Sequence, residues 1–268
     1  MPAPVPIAVS LAGFDPSGGA GLLVDAQVLA GRGVMPMGVP LADTLQNGMA
    51  CMRISAPGMD PQARLEALGP HLAGPWGVKV GLCALDLPAL RRLVATVDQL
   101  GPQVRIWDPI LAPSAGVGLH DPEGLQQMAK VVLRSGRWVA CPNRGEAAAI
   151  AGLPPDQIRT ASLEALARPL LDLGARAVWL KGGHAPGDEV EDFWITAEGT
   201  GSLGRSPRLP GERRGTGCFL SAAWLGLRLK GSEDREAARE AAALLRARWE
   251  RAWAPGAVGR PAFLPVEA

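Results

Sequence analysis

Short apolar runs of strand type alternate with stretches of helical spacing along almost the whole chain, and this alternation restricts the fold more than any single motif. Ile7 to Ala12 reads as a buried strand closed by Gly13, and Gly21 to Gly31 follows with apolar residues at helical spacing. Val34 to Leu41 and Gly77 to Val80 read as strands, with a helix at Pro61 to Leu72 between them. Asp86 to Leu100 reads as a helix with Asp86 as its N-cap and Pro88 in its first turn. The pattern continues through strands at Val104 to Asp108, Trp138 to Cys141 and Ala177 to Leu180, and helices at Pro122 to Leu133 and Ser162 to Leu173. Asn143 to Glu146 has capping-box spacing before an Ala-rich helix. Asp192 to Thr196 and the polar stretch after it suggest a hairpin. Two helices, Thr216 to Leu229 and Glu233 to Trp253, precede an irregular Pro/Gly-rich tail over Pro255 to Ala268.

Strands alternating with helices imply a mostly parallel sheet covered on both faces, an αβα sandwich of three layers. No linker-like stretch and no internal repeat divides residues 1–268, so one α/β domain is expected. In such folds ligands collect at the carboxyl ends of the strands. Gly13, Gly81, Asp108, Asn143 and Lys181 all fall there.

Composition narrows the function. A net charge of +1 gives no electrostatic case for nucleic acid or an anionic membrane. No apolar run approaches the roughly 18 residues that span a bilayer. Met1 to Ile7 has no basic start and no long apolar run, so no signal peptide is expected. Cys51, Cys83, Cys141 and Cys218 are scattered and form no Cys-x-x-Cys pair, which argues against zinc and suits a reducing cytoplasm. Only four of the 27 basic residues are lysines, so Lys79 and Lys181 stand out.

Gly211-Glu-Arg-Arg-Gly-Thr-Gly-Cys-Phe-Leu-Ser-Ala-Ala223 carries the strongest chemical signal. Its Gly-Thr-Gly turn runs into an apolar helix whose first N–H groups attract anions. The glycines let the backbone approach a phosphate, and Cys218 lies at the mouth, where the helix dipole should favour thiolate. A Gly-rich helix start with a structural cysteine is the plainer reading. Other signals are weaker alone. Ala12-Gly-Phe-Asp-Pro-Ser-Gly-Gly-Ala-Gly21 is a substrate loop or an ordinary βα turn, and matches neither a dinucleotide fingerprint nor a P-loop. Asp25 sits among Leu22, Leu23, Val24 and Val28 as an acid contacting something specific or as part of a solvated face. Gln46-Asn47 can read a heterocycle edge or simply occupy a loop. Asp108 and Glu146 can hold Mg²⁺ through water, or end a strand and cap a helix. Lys181-Gly-Gly-His184 can reach a nucleotide phosphate or form an exposed turn.

Taken together, these motifs resemble the hydroxymethylpyrimidine/phosphomethylpyrimidine kinases of thiamin biosynthesis, in the ribokinase-like superfamily. The resemblance covers residues 6 to about 230 and rests on Ala12 to Gly21, Asp25, Gln46-Asn47, Lys79-Val-Gly81, Asp108-Pro-Ile110, Asn143 with Glu146, Lys181 to His184 and Gly215 to Cys218. It implies ATP-dependent phosphorylation of a hydroxymethyl-aminopyrimidine and of its monophosphate, with ATP and Mg²⁺. It implies Gly13, Asp25, Gln46, Leu82 and Ile110 around the pyrimidine, and Gly215, Thr216 and Gly217 as an anion hole with Cys218 as the base. Lys181, Asn143 and Gly183 would serve the nucleotide, and Glu146 and Asp108 the metal. A homodimer is expected, since relatives are commonly dimers. Pyridoxal kinases, some of which share Gly-Thr-Gly-Cys, are the alternative, together with a non-catalytic pyrimidine-binding relative. Four departures from the family pattern concern substrate choice and phosphate handling more than fold: Phe14, Leu82, Ser114-Ala-Gly116, and Arg214 where a histidine is usual.

Overall fold

The computed structural model describes residues 5–111, 120–183 and 187–252. The strands are β1 (Ile7–Phe14), β2 (Met35–Gln46), β3 (Cys51–Ser55), β4 (Trp76–Val80), β5 (Val104–Trp107), β6 (Val139–Ala140), β7 (Ala177–Leu180), β8 (Glu189–Thr196) and β9 (Gly199–Pro207). The helices are α1 (Gly21–Ala30), α2 (Pro61–Leu68), α3 (Leu87–Leu100), α4 (Pro122–Val132), α5 (Arg144–Ala151), α6 (Leu163–Asp172), α7 (Thr216–Leu229) and α8 (Asp234–Arg248). All nine strands join one sheet in the order β3-β2-β1-β4-β5-β6-β7-β8-β9. Strands β2 to β7 run parallel across that order, while β3, β8 and β9 pair antiparallel at the two edges.

Alternation within each parallel strand builds a core on each face. In β7, Val178 and Leu180 enter the core beneath α2–α6, whereas Ala177 and Trp179 enter the core beneath α1, α7 and α8. Strand β4 departs from this rule. Val78 and Val80 face the first core, but Lys79, fully buried, takes an inward position that a two-sided parallel strand normally fills with an apolar side chain. The chain leaves β1 toward β2 through α1 on one face and later proceeds from β4 with helices on the other. The order therefore reverses between β1 and β4, where sheets of this kind open a crevice.

Three boundaries differ most from the sequence reading, and α2 is one, stopping at Leu68 in a 3₁₀ turn, Gly69–His71, short of Leu72. Strand β2 runs on to Gln46 rather than ending at Leu41, because Asp43–Gln46 pairs antiparallel with β3, which periodicity did not reveal. Pro36 and Pro40 sit in the stretch of β2 that has only β1 as a neighbour, where a missing N–H is tolerated. The last helix ends at Arg248 and gives way to one 3₁₀ turn, Trp249–Arg251. The tail at 255–268 lies outside the described residues. Among the described residues, no helix is long and apolar enough to cross a membrane.

Candidate active site

Sheet hydrogen bonds continue past the strand ends and carry the predicted motifs into one row. Gly81 N–H donates to Leu11 (2.9 Å), Asp108 to Val80 (2.8 Å), Cys141 to Trp107 (2.8 Å) and Lys181 to Pro142 (2.9 Å). The N-terminus of α7 meets this row. Five helices satisfy their first turn with their own side chains, from Asp60, Asp86, Asp121, Asn143 and Ser162. Helices α1, α7 and α8 have no side-chain cap; of these, α1 and α7, beginning at Ala20 and Gly215, leave first-turn amides to other acceptors at this edge. Gly215 is left-handed (φ 70°), and a Cβ there would run into the Gly19 carbonyl, so the two uncapped starts lie against each other. Gly215 and Cys218 are buried, while Thr216 and Gly217 remain partly open. A Cβ at Gly217 would stand 3.3 Å from Lys181 Nζ and 3.5 Å from Asp108 Oδ2. The space directly above the turn is therefore shared by bare amides and an ammonium group.

Three buried cations surround the turn, each with its own aspartate. Lys181 Nζ lies 2.6 Å from Asp108 Oδ1, and Arg214 Nη2 lies 2.8 Å from Asp15 Oδ2. Lys79 Nζ pairs with Asp25 and also donates to the Cys218 carbonyl (3.4 Å). Burial opposes the charge on Lys79, but Asp25 outweighs it and pushes the group up to about 12. Burial likewise opposes charge on Lys181, and Asp108 holds it above its ordinary value. Both lysines are ammonium ions at neutral pH. Ser221 Oγ donates to Asp108 Oδ2 (3.2 Å), so Asp108 has partners on both oxygens.

The helix-dipole expectation for Cys218 is corrected here. Burial pushes its thiol up to about 11, with Asp25 and Asp108 adding to the effect, against Lys79 and a hydrogen bond from the Gly21 N–H. Desolvation and two nearby carboxylates outweigh the helix end. Glu146 forms the expected capping box: Asn143 N–H donates to its Oε2 (2.7 Å), and Asn143 Oδ1 accepts from its N–H (2.9 Å). Burial raises Glu146 to about 7, opposed by Lys181 and assisted by Asp108.

The substrate-side residues spread along the same edge. Gly13 lies against Leu82, since a Cβ there would come 2.8 Å from Leu82 Cδ2. Ile110 packs 4.0 Å from the corresponding point on Gly81. Gln46 is half-buried at the end of β2. Asp25 lies deeper than a pocket wall: it is fully buried and committed to Lys79 behind Cys218. Asn143 and Lys181 are bridged neighbours, and Gly183 follows in a turn. His184 and Ser114 to Gly116 lie outside the described residues. A cavity of about 300 Å³ opens beside Lys181 and Gly182, lined also by Arg144, Glu191 and Phe193. The sequence reading gave no role to Asp15, Ser17, Thr44 or Ser221. The partner of Asp15 and Ser17 is Arg214, 199 and 197 residues away, a pairing that no local pattern announces.

A reversed-order αβα sheet with an uncapped helix start near the reversal places the chain in the doubly wound α/β class, which binds ligands at that crevice. Within it, the chain belongs to the phosphomethylpyrimidine kinase family, whose model matches residues 15–262. A hydroxymethylpyrimidine/phosphomethylpyrimidine kinase from Synechococcus elongatus is 33% identical over 227 residues, 82% of each chain. The protein of that description from Rhizobium meliloti is 30% identical over 247 residues, 90% of this chain and 89% of that one. Among solved structures, pyridoxal kinase from Staphylococcus aureus, in complex with AMP-PCP and pyridoxal, superposes with a TM-score of 0.81 at 21% identity, covering 97% of this chain and 93% of that one. Phosphomethylpyrimidine kinase from Clostridium difficile 630 gives 0.72 at 23% identity, covering 92% and 100%. At such identities these structures speak to the fold.

Proposed function

We propose that this chain phosphorylates the hydroxymethyl group of 4-amino-5-hydroxymethyl-2-methylpyrimidine, and then its monophosphate, at the expense of ATP, as a step of thiamin biosynthesis. The observation that carries the reading is the uncapped turn Gly215–Cys218, set against Lys181 and beside a sulfur. Bound with Mg²⁺, ATP supplies the phosphoryl group, and the metal offsets charge on its oxygens.

The chain's residues align and neutralise. Amides of Thr216 and Gly217 receive the transferring group, for which the missing Cβ of Gly217 leaves room. Lys181, with Asn143 and Gly183 beside it, faces the nucleotide phosphates. Gln46, Gly13, Leu82 and Ile110 hold the ring. Cys218 accepts the hydroxyl proton as thiolate, with the Lys79 ammonium beneath it to stabilise the charge. Glu146 and Asp108 would hold Mg²⁺, which would offset charge on the phosphate oxygens. No three His, Cys, Asp or Glu side chains converge on one point among the described residues. Such a sparse set suits Mg²⁺, which keeps several waters and takes one or two carboxylates.

Four free, buried thiols suit a reducing cytoplasm. Leu45, Met49, Met52 and Met59, each more than half exposed around the β2–β3 hairpin, support self-association as a homodimer, which light scattering checks. A coupled ADP-release assay with the aminopyrimidine alcohol and, separately, with pyridoxal tests the main reading. Turnover with the first and not the second is expected; turnover with pyridoxal alone, or with neither, overturns it.

A further inference from the structure

We infer that Arg214 is a positioning residue that fixes which way the Gln46 amide faces, and thereby which heterocycle edge the site accepts. The inference rests on the reading above in that Gln46 is taken to meet the substrate ring. Thr44 Oγ1 donates its one proton to the Phe14 carbonyl (2.8 Å), so toward Gln46 it can only accept, and it takes a hydrogen bond from Nε2 (2.9 Å). At the other end of the amide, Arg214 Nη2 donates to Gln46 Oε1 (3.2 Å), and a guanidinium can only donate. Reversing the amide would set two donors face to face and leave the Thr44 hydroxyl without its acceptor role. Only one orientation satisfies both ends.

That orientation leaves the amide one N–H and one carbonyl lone pair for a ligand. They complement an edge on which an acceptor ring nitrogen adjoins an exocyclic donor, as in an aminopyrimidine. Pyridoxal has no exocyclic amine next to its ring nitrogen. The clamp is itself rigid. Arg214 is 4% exposed, its charge is met by Asp15 (2.8 Å), and Nη1 donates to Ser17 Oγ (2.9 Å). Gly19 and Gly48 leave the room it occupies, since a Cβ at Gly48 would stand 3.1 Å from Nη1 and one at Gly19 would overlap the guanidinium. Only a planar fork serves Asp15, Ser17 and Gln46 from one position, and an ammonium does not.

The test is a double-mutant cycle of Arg214→Met with Gln46→Ala, read as KM for the aminopyrimidine alcohol. One hydrogen bond of this kind predicts that R214M alone raises that KM about threefold to tenfold, with kcat and the KM for ATP little changed. In the Q46A background the same change should add less than about twofold. Effects that multiply, or an R214M enzyme with unchanged KM, overturn the inference. If R214M fails to fold, Arg214→Lys is measured in the same cycle, with the same expectations. A wild-type protein inactive on the aminopyrimidine refutes the functional reading instead. In that event the Gln46 side-chain amide resonances of the ligand-free protein still decide. Two amide protons whose shifts move toward those of a free glutamine side chain, or whose solvent exchange speeds up, in R214M support the clamp, and spectra unchanged by the substitution refute it.

Discussion

On the proposed function, replacing Cys218 with alanine removes the group that takes the hydroxyl proton, and the burial of its thiol bears on how the effect varies with pH. Burial, with Asp25 and Asp108, pushes the thiol up to about 11, and only the thiolate can accept a proton. In the free protein near neutral pH the ionised fraction is therefore on the order of one molecule in several thousand, growing about tenfold per pH unit. General-base assistance is typically worth about 10²–10⁴-fold, or roughly 3–5 kcal/mol of barrier. Cys218→Ala should lower single-turnover phosphoryl transfer by that factor. The fold should survive, because losing one small buried side-chain group costs on the order of 1 kcal/mol. The assay is rapid-quench transfer between about pH 6.5 and 9.5, accompanied by thermal melts; the wild-type rate should climb with pH and that of C218A should stay flat. A variant within about threefold of wild type, or one that keeps the wild-type slope, would remove Cys218 from the chemistry however close the sulfur lies to the turn.

Gly217→Ala should leave the melting temperature equal or slightly raised, since alanine gains up to about 1 kcal/mol over glycine in a helix. It should nevertheless weaken ATP binding about tenfold or more, because its methyl would stand 3.3 Å from Lys181 Nζ; unchanged ATP affinity in a titration would exclude the turn as the phosphate seat. Glu146→Gln keeps the capping box but removes a carboxyl held up at about 7. The contribution of that raised group is complete below about pH 4.3 and lost as pH rises through about 7, so E146Q should gain on the order of 3–4 kcal/mol over wild type near pH 8 and nothing near pH 4. Melts showing an equal difference at both pH values would contradict the burial argument. Lys79→Met leaves the fully buried Asp25 carboxylate without its partner and should cost about 3–5 kcal/mol near neutral pH. Burial already holds Asp25 above its ordinary value while Lys79 pulls it down, so losing Lys79 raises it further and the loss should shrink toward pH 4 as it takes up a proton; a pH-independent loss would refute this cause.

The layered α/β fold was legible because its signals are local. Val104–Trp107 and Ala177–Leu180 are short apolar runs, and Asp86, Asn143 and Ser162 stand at helix starts with residues that cap. Strand β3 was not legible, since Cys51–Ser55 alternates weakly and is ordered by pairing with the end of β2. The site was legible as residue types at strand ends but not as partners. Lys79 stood out as one of four lysines, yet its pairing with Asp25 spans 54 residues and depends on how α1 crosses the sheet. Arg214 was visible only as an unusual residue before Gly215. Its contacts to Asp15, Ser17 and Gln46 exist because the left-handed Gly215 brings the α7 turn down onto the Gly18–Gly19 loop. The thiol of Cys218 was misjudged because sequence shows a helix start but not the depth at which it is buried.

That depth explains how a phosphate seat can exist in a stable free protein. Three bare cations around one turn would repel one another, and each buried unpaired charge would cost several kcal/mol. Here Asp25, Asp108 and Asp15 neutralise Lys79, Lys181 and Arg214 in turn, so the proposed phosphate seat carries little net charge. What remains unmatched is the first turn of α7, whose amides have no side-chain cap. An incoming phosphoryl group meets donors that need no counter-ion to be removed before they act, in surroundings dry enough to strengthen them. Lys79 then polarises from beneath Cys218, while Lys181 stands beside the turn and faces the phosphates. For this reason Lys181 and Asp108 are not equivalent in the proposed site: losing Lys181 removes field from the seat, whereas losing Asp108 frees a charge that can close over it.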